Sequence, residues 1–244
     1  MTQNAKAKGL RSLGRRYAPD PRDRKFNLTA DRLKEIPRSL EPGVRRRTRP
    51  WQRGPVLDQG SSSECTVFAA AGFLECAPQL HRNGLGWSRD KFTSFYRSAQ
   101  QQDEWPGENY DGTSERAVQK VLQAAGFISE YLWVTDEDIA REYLLTRGPL
   151  LLGTDWFESM FTPSAKGSYI EPAGALAGGH EVVVRWYYNS AHYKYPDSYE
   201  IINSWGEGWG DKGVARIKAD DFRYLFLQLN GDLCSPQEAA KAAA

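Results

Sequence analysis

The pattern of apolar positions changes character near residue 150. Over residues 64–80, Phe68, Ala71, Gly72, Phe73 and Leu74 are small or apolar on almost every side, which predicts a buried helix with Cys65 in its first turn. Ala117, Val118, Val121, Leu122 and Ala125 share one face of a second helix that starts after Thr113 and stops at Gly126. A third is predicted from a cap at Asp136 to Arg147. Beyond it, residues 150–153, 181–188, 199–202 and 214–217 are short apolar runs punctuated by Gly and Pro, and read as strands. Helices first and strands later predict an α+β architecture, with a helical lobe facing a strand-rich lobe across a cleft suited to a site.

Residues 1–50 break from this pattern. They hold few large apolar side chains, the turn cluster Pro19-Asp20-Pro21-Arg22-Asp23 and the run Arg45-Arg46-Arg47, and read as an extended or partly ordered arm. The expected organisation is this arm, a domain over residues 51–235, and a frayed tail over residues 236–244. The net charge of +1 hides an asymmetry: residues 1–50 contain fifteen Lys/Arg and five Asp/Glu, which leaves the remainder acidic. The arm either wraps its own acidic domain or binds a nucleic acid or another acidic partner.

The 40% apolar and 26% charged composition excludes wholesale disorder. No apolar run approaches the roughly 20 residues that a membrane-spanning helix needs, so no membrane association is expected. The stretch before Arg16 is polar and basic, without a secretory pattern. Cys65, Cys76 and Cys234 make neither a metal-type spacing nor a disulfide framework, which fits a reducing, cytoplasmic setting. With no His-Glu-x-x-His motif, phosphate loop or dinucleotide fingerprint, neither metal nor organic cofactor is expected.

Three segments carry candidate chemistry. A thiol attacks as thiolate, and a helix amino terminus favours that form; Cys65 follows the polar loop Gln59-Gly60-Ser61-Ser62-Ser63-Glu64 at such a terminus. Taken alone, it reads equally as a small buried residue. Gly178-Gly179-His180-Glu181 sets a histidine at a strand entrance, where imidazole can serve as a base. Ile201-Ile202-Asn203-Ser204-Trp205-Gly206-Glu207-Gly208-Trp209 ends a strand in an amide side chain that can orient the imidazole, with Trp205 shielding the bond from water.

In this order, the three segments resemble the papain family of cysteine peptidases, whose Cys-His-Asn arrangement places His and Asn roughly 130–150 residues after the cysteine. Here the offsets are 115 and 138. The resemblance covers residues 51–218, including Gly112 in Asp111-Gly112-Thr113 and Gly148-Pro149-Leu150-Leu151 at the opening of the second lobe. It implies a two-lobe papain-like fold in which Cys65 is the nucleophile, His180 the base, Asn203 its orienting partner and Gln59 an oxyanion donor. By the same resemblance Ser63, Glu64, Gly112, Gly179, Glu181 and Trp205 line the substrate site, and the substrate is a peptide or protein. Departures are Ser62, Ser63, Glu64 and Thr66 in place of the family's Cys, Gly, Ser and Trp. Glu64 is expected to oppose the thiolate by like-charge repulsion. An arm lying in the cleft would contact acids such as Glu64, Asp111 and Glu181. The alternatives are a papain-fold binding component without turnover, or an acyl-transferase or deamidase using the same triad.

Overall fold

The computed structural model describes residues 11–81, 84–107 and 109–239 and shows packed, folded chain well before Trp51. Asp20 caps a 3-10 turn over Pro21–Phe26, and Thr29 caps helix α1 (Ala30–Glu35), each side chain accepting from a first-turn amide. Leu28, Leu33 and Ile36 are buried in the same core as the sheet. Residues 21–36 are thus folded onto the domain where the sequence pattern predicts an extended or partly ordered arm; three spaced apolar side chains suffice to dock them. Basic side chains of this segment pair within the chain, Arg32 with Glu130 at 2.5 Å and Arg38 and Arg46 with Glu142 at 3.2 and 2.8 Å.

Helix α2 (Cys65–Leu74) ends earlier than residue 80 because Pro78 bars the helical conformation at Ala77 and brings no N–H of its own. Cys76 therefore lies beyond the helix. Helix α3 (Arg89–Gln100), absent from the sequence prediction, is capped by Ser88 and buries the stripe Phe92, Phe95, Tyr96 and Ala99. The next two helices match expectation: α4 (Glu115–Ala124) is followed by Gly126 at φ +77°, and α5 (Glu137–Thr146) is capped by Asp136, with strand β1 (Ile128–Trp133) between them.

The remaining elements are β2 (Leu150–Phe157), β3 (Tyr169–Ile170), β4 (Leu176–Tyr188), β5 (Ser198–Ile202), β6 (Val214–Lys218), α6 (Ala219–Arg223) and β7 (Asp232–Glu238). They form a sheet in the order β1-β7-β2-β4-β5-β6-β3, antiparallel except for β3 with β6. Residues 236–238, predicted as the start of a frayed tail, pair with β1; residues 240–244 lie outside the described residues. Pro236 is tolerated because β2 pairs β7 only over residues 232–234, so no ladder bond is needed on that side.

The runs at 150–152 and 182–184 are continuously apolar because both faces of the central strands are covered. Leu150, Leu152, Val182, Val184 and Ile201 pack with Leu33 of α1, Leu144 of α5 and Phe222 of α6. Leu151, Val183 and Ile202 pack with Val67 and Phe73 of α2, Phe92 of α3 and Val118 of α4. This is the α+β arrangement the pattern predicts, and it brings the start of α2 against β4. No described helix is long and apolar enough to cross a membrane.

Leu28 is 1% exposed, so Leu28→Ala is expected to cost about 2–5 kcal/mol of unfolding free energy in denaturant titration. Arg46→Ala, which breaks an exposed ion pair, is expected to cost under about 1 kcal/mol. Deleting residues 1–50 consequently removes core as well as charge.

Candidate active site

Cys65 is the first residue of α2, where unpaired helix amides gather. His180 sits on β4 opposite Thr154 of β2, and Asn203 follows the last residue of β5. His180 Nε2 and Asn203 Oδ1 are 2.8 Å apart. The tautomer follows from the neighbour: the Ser204 amide donates to the same Oδ1 at 2.8 Å, so that atom is the amide oxygen and Nε2 carries the proton. The lone pair is then on Nδ1, which is buried and has no hydrogen-bond partner. Ser204 also donates from its hydroxyl to Gln59 Oε1 at 2.7 Å, which turns the Gln59 Nε2 donor outward. Nε2 donates to the carbonyls of Ser62 at 2.7 Å and Ser12 at 3.1 Å.

Trp205 stacks on the imidazole at 4.6 Å between centroids, and Trp156 meets its edge at 4.7 Å. Burial pushes the His180 imidazole down to about 4, against the opposing effect of Asn203. The Cys65 thiol is pushed up to about 12 by burial and then by the charge of Glu181, although the amides of Glu181 and Gly14 and the Arg15 guanidinium favour the thiolate. At neutral pH the pair is thiol and neutral imidazole. Burial raises Cys76 to about 12 as well, so what distinguishes Cys65 is its position.

What buries the site is the chain itself. The amides of Gly14 and Arg15 donate to the Gly179 carbonyl at 3.1 and 3.0 Å; Arg16 donates to the Thr113 carbonyl and Thr113 to the Gly14 carbonyl, both at 2.9 Å. Residues 14–16 are therefore clamped between the helical side and β4, directly over Cys65. A Cβ on Gly14 would overlap the Ser63 carbonyl, and one on Gly112 would overlap the Gly14 carbonyl. Arg16 stacks on Trp105 and Tyr110 at 4.1 and 4.3 Å, and Arg15 reaches Asp232 at 2.8 Å.

The predicted residues Cys65, His180, Asn203, Gln59, Ser63, Gly112, Gly179, Glu181 and Trp205 are brought together around this segment. Glu64 is not part of that group. Its carboxylate is held by Arg89 at 2.7 Å, Thr93 at 2.9 Å and Ser62 at 3.1 Å, and the charge that raises the thiol is that of Glu181. The main-chain pairing runs through Thr113 rather than Gly112, and the acids that meet residues 11–16 are Asp58, Glu115, Glu181 and Asp232 rather than Glu64 or Asp111. Ser204, Trp156, Thr113, Glu115 and Asp232 were missed by sequence reasoning. Ser204 and Thr113 lie within segments that the sequence analysis singles out, residues 201–209 and 111–113. Among the described residues no group of three or more His, Cys, Asp or Glu is arranged to hold a metal ion.

Residues 83–223 match the family model described as papain family cysteine protease. Cathepsin Q of Rattus norvegicus is 33% identical over 191 residues, covering 68% of this chain and 55% of that protein. Cathepsin J of Rattus norvegicus is 26% identical over 201 residues, covering 68% and 57%. The chain spans a little over half the length of these relatives. Xylellain, a cysteine protease from Xylella fastidiosa, superposes with a TM-score of 0.66 at 20% identity, covering 94% of this chain and 98% of that one, a likeness of fold.

The depressed His180 value carries a stability consequence. Between its ordinary value of 6.5 and about 4, the unfolded chain takes up a proton that the folded site refuses, so this group lowers stability as pH falls through that window. The unfolding free energy of His180→Gln, measured against the parent chain by denaturant titration, should lack a loss on the order of 3 kcal/mol between neutral pH and pH 4.

Proposed function

Because the chain belongs to the papain family of cysteine proteases, we propose that it is a cysteine endopeptidase working through Cys65, His180 and Asn203, held latent by residues 12–16. The observation that carries this reading is the bare, buried Nδ1 of His180, left by the Nε2 bond to Asn203, in one enclosed site with a thiol at a helix start. When the arm leaves, water and substrate replace it. The burial that holds the thiol up and the imidazole down is relieved, and Nδ1 takes the proton of Cys65. The thiolate attacks the peptide carbonyl carbon, and the developing oxyanion accepts from the Cys65 amide and Gln59 Nε2. The Ser12 carbonyl now on Gln59 Nε2 marks where such an oxygen binds. The imidazolium then protonates the departing amine, and water hydrolyses the thioester, returning the proton to sulfur. Gly112, Gly179 and Ser63 line the strip in which the substrate main chain lies, and Trp205 keeps water from the His180–Asn203 bond.

Relief of latency is tested with Gly14→Val in the full chain, whose side chain cannot coexist with the Ser63 carbonyl. Turnover of a fluorogenic peptide should rise at least about tenfold, and alkylation of Cys65 by iodoacetamide should accelerate with it. Adding Cys65→Ala should abolish turnover with the fold intact, while Asn203→Ala should lose less kcat/KM than His180→Ala. Fast alkylation without any peptide turnover would favour a binding component, and product formation only with an added amine would favour a transferase.

A further inference from the structure

The arm's Arg15 occupies a place that its charge alone does not explain. Its side chain is 1% exposed, against 20% for Asp232, which pairs with it. Glu115 and Glu181 also act on it electrostatically, and both are almost fully buried, at 1% and 0% exposure. Among the described residues neither carboxylate oxygen of Glu181 has a hydrogen-bond partner, and Glu115 lies against Asp232 and the Cys234 thiol. The sheet register explains the convergence: Gly153 of β2 stands opposite Glu181 of β4 on one side and Asp232 of β7 on the other. Two adjacent strands therefore present acids flanking a residue with no side chain, and the first turn of α4 contributes Glu115 above them. A Cβ on Gly153 would strike Asp232 Oδ1 and lie 2.6 Å from Arg15 Nε. The missing side chain is the floor of a slot for a guanidinium.

Two buried acids and one partly exposed acid around one cation are more than neutrality needs. Burial and mutual repulsion hold the Glu115 and Glu181 carboxyls well above the usual carboxylate range, with Arg15 opposing. A slot of this kind costs stability unless a cation or protons fill it, which makes it expensive as pure scaffold. The cation that the slot holds is the Arg15 guanidinium, 2.8 Å from Asp232. It lies beside the main-chain strip: residues 14 and 15 bond Gly179, residues 14 and 16 bond Thr113, and the side chain between enters the slot. An extended peptide bound along the same two edges would deliver a side chain there.

We infer that Glu115, Glu181 and Asp232 form a substrate subsite for an arginine side chain, occupied in this state by the chain's own Arg15. The inference rests on the peptidase reading and assigns its substrate class: peptides carrying a guanidinium at the residue that lies between Thr113 and Gly179. A neutral aliphatic side chain leaves three acids buried against it. A citrulline keeps the shape and loses the charge.

The full chain bearing Gly14→Val serves for the test, with and without Asp232→Asn, chosen because Asp232 is the most exposed of the three acids; thermal unfolding checks that both fold. Arginine is moved through successive positions of an alanine-rich fluorogenic peptide. One position should favour Arg over Leu and citrulline by on the order of 100-fold in kcat/KM, and Asp232→Asn should cut that Arg-over-Leu ratio at least about tenfold. In parallel, a synthetic peptide of residues 11–18 is titrated calorimetrically into the same protein, beside its Arg15→citrulline counterpart. Arginine-dependent binding without cleavage of any peptide would defeat the peptidase reading and leave the slot standing as a guanidinium site. Equal binding of the two synthetic peptides, or equal turnover of Arg and citrulline substrates, would overturn the inference even if the peptidase reading held.

Discussion

The state of the whole site follows from four main-chain hydrogen bonds that hold residues 14–16 between Thr113 and Gly179. They close a strip between the helical side and the sheet, and closure takes water from Cys65 and His180. In a dry site neither a thiolate nor an imidazolium is favoured, so a pair that could exchange a proton stays neutral. The bonds are possible only because Gly14 and Gly112 present bare backbone where the two chains approach most closely. One contact therefore covers the thiol and imidazole and also favours their neutral forms.

The parts behind the arm do not depend on it. Asn203, Ser204 and Gln59 form a chain of hydrogen bonds in which each amide is oriented by the next, and the Gln59 amide in turn donates to the Ser204 carbonyl at 2.9 Å. Trp156, Trp205, Trp209 and Phe161 build an aromatic wall around the imidazole. These contacts join the loop before α2 to the loop after β5 and hold the donor, base and orienting groups without using residues 14–16. Preorganisation of this kind lets a site act without rearranging at the moment of reaction.

Legibility in the sequence tracked how local the signal was. Cys65, His180, Asn203 and Gln59 each sit in a string whose glycines, polar loop or tryptophans are contiguous, and the two-faced burial of the sheet was written into the unbroken runs at 150–152 and 182–184. Strand β7 was hidden by Pro236 and its polar neighbours, which are tolerated where the strand extends past its pairing with β2. Helix α3 was legible in principle, since Phe92, Phe95, Tyr96 and Ala99 recur at helical spacing between a serine cap and a glutamine. The acid slot was not. Glu115 looks like an ordinary first-turn acid, Asp232 like the end of a turn, and Arg15 like one basic residue in a basic stretch; only the register of β7, β2 and β4 makes them neighbours. Glu64 erred the other way, adjacent to the thiol in sequence yet engaged by Arg89 and Thr93.

Filling the slot with the chain's own arginine changes what a substrate must do to enter. A buried ion pair gains little over its desolvation cost when formed from water, and loses much when one partner is removed. If the arm simply withdrew, three acids would face an empty, poorly hydrated slot, and withdrawal would be costly. If a substrate guanidinium arrives as Arg15 leaves, one cation replaces another, and the electrostatic cost of exchange nearly cancels. What remains is the difference between tethered and free ligand, because Arg15 is supplied at an effective concentration set by the short connection from residue 16 to the docked segment at residues 21–36. On the proposed reading, latency rests on tethering more than on tighter contacts, and the docking of Leu28, Leu33 and Ile36 into the core is what sustains it.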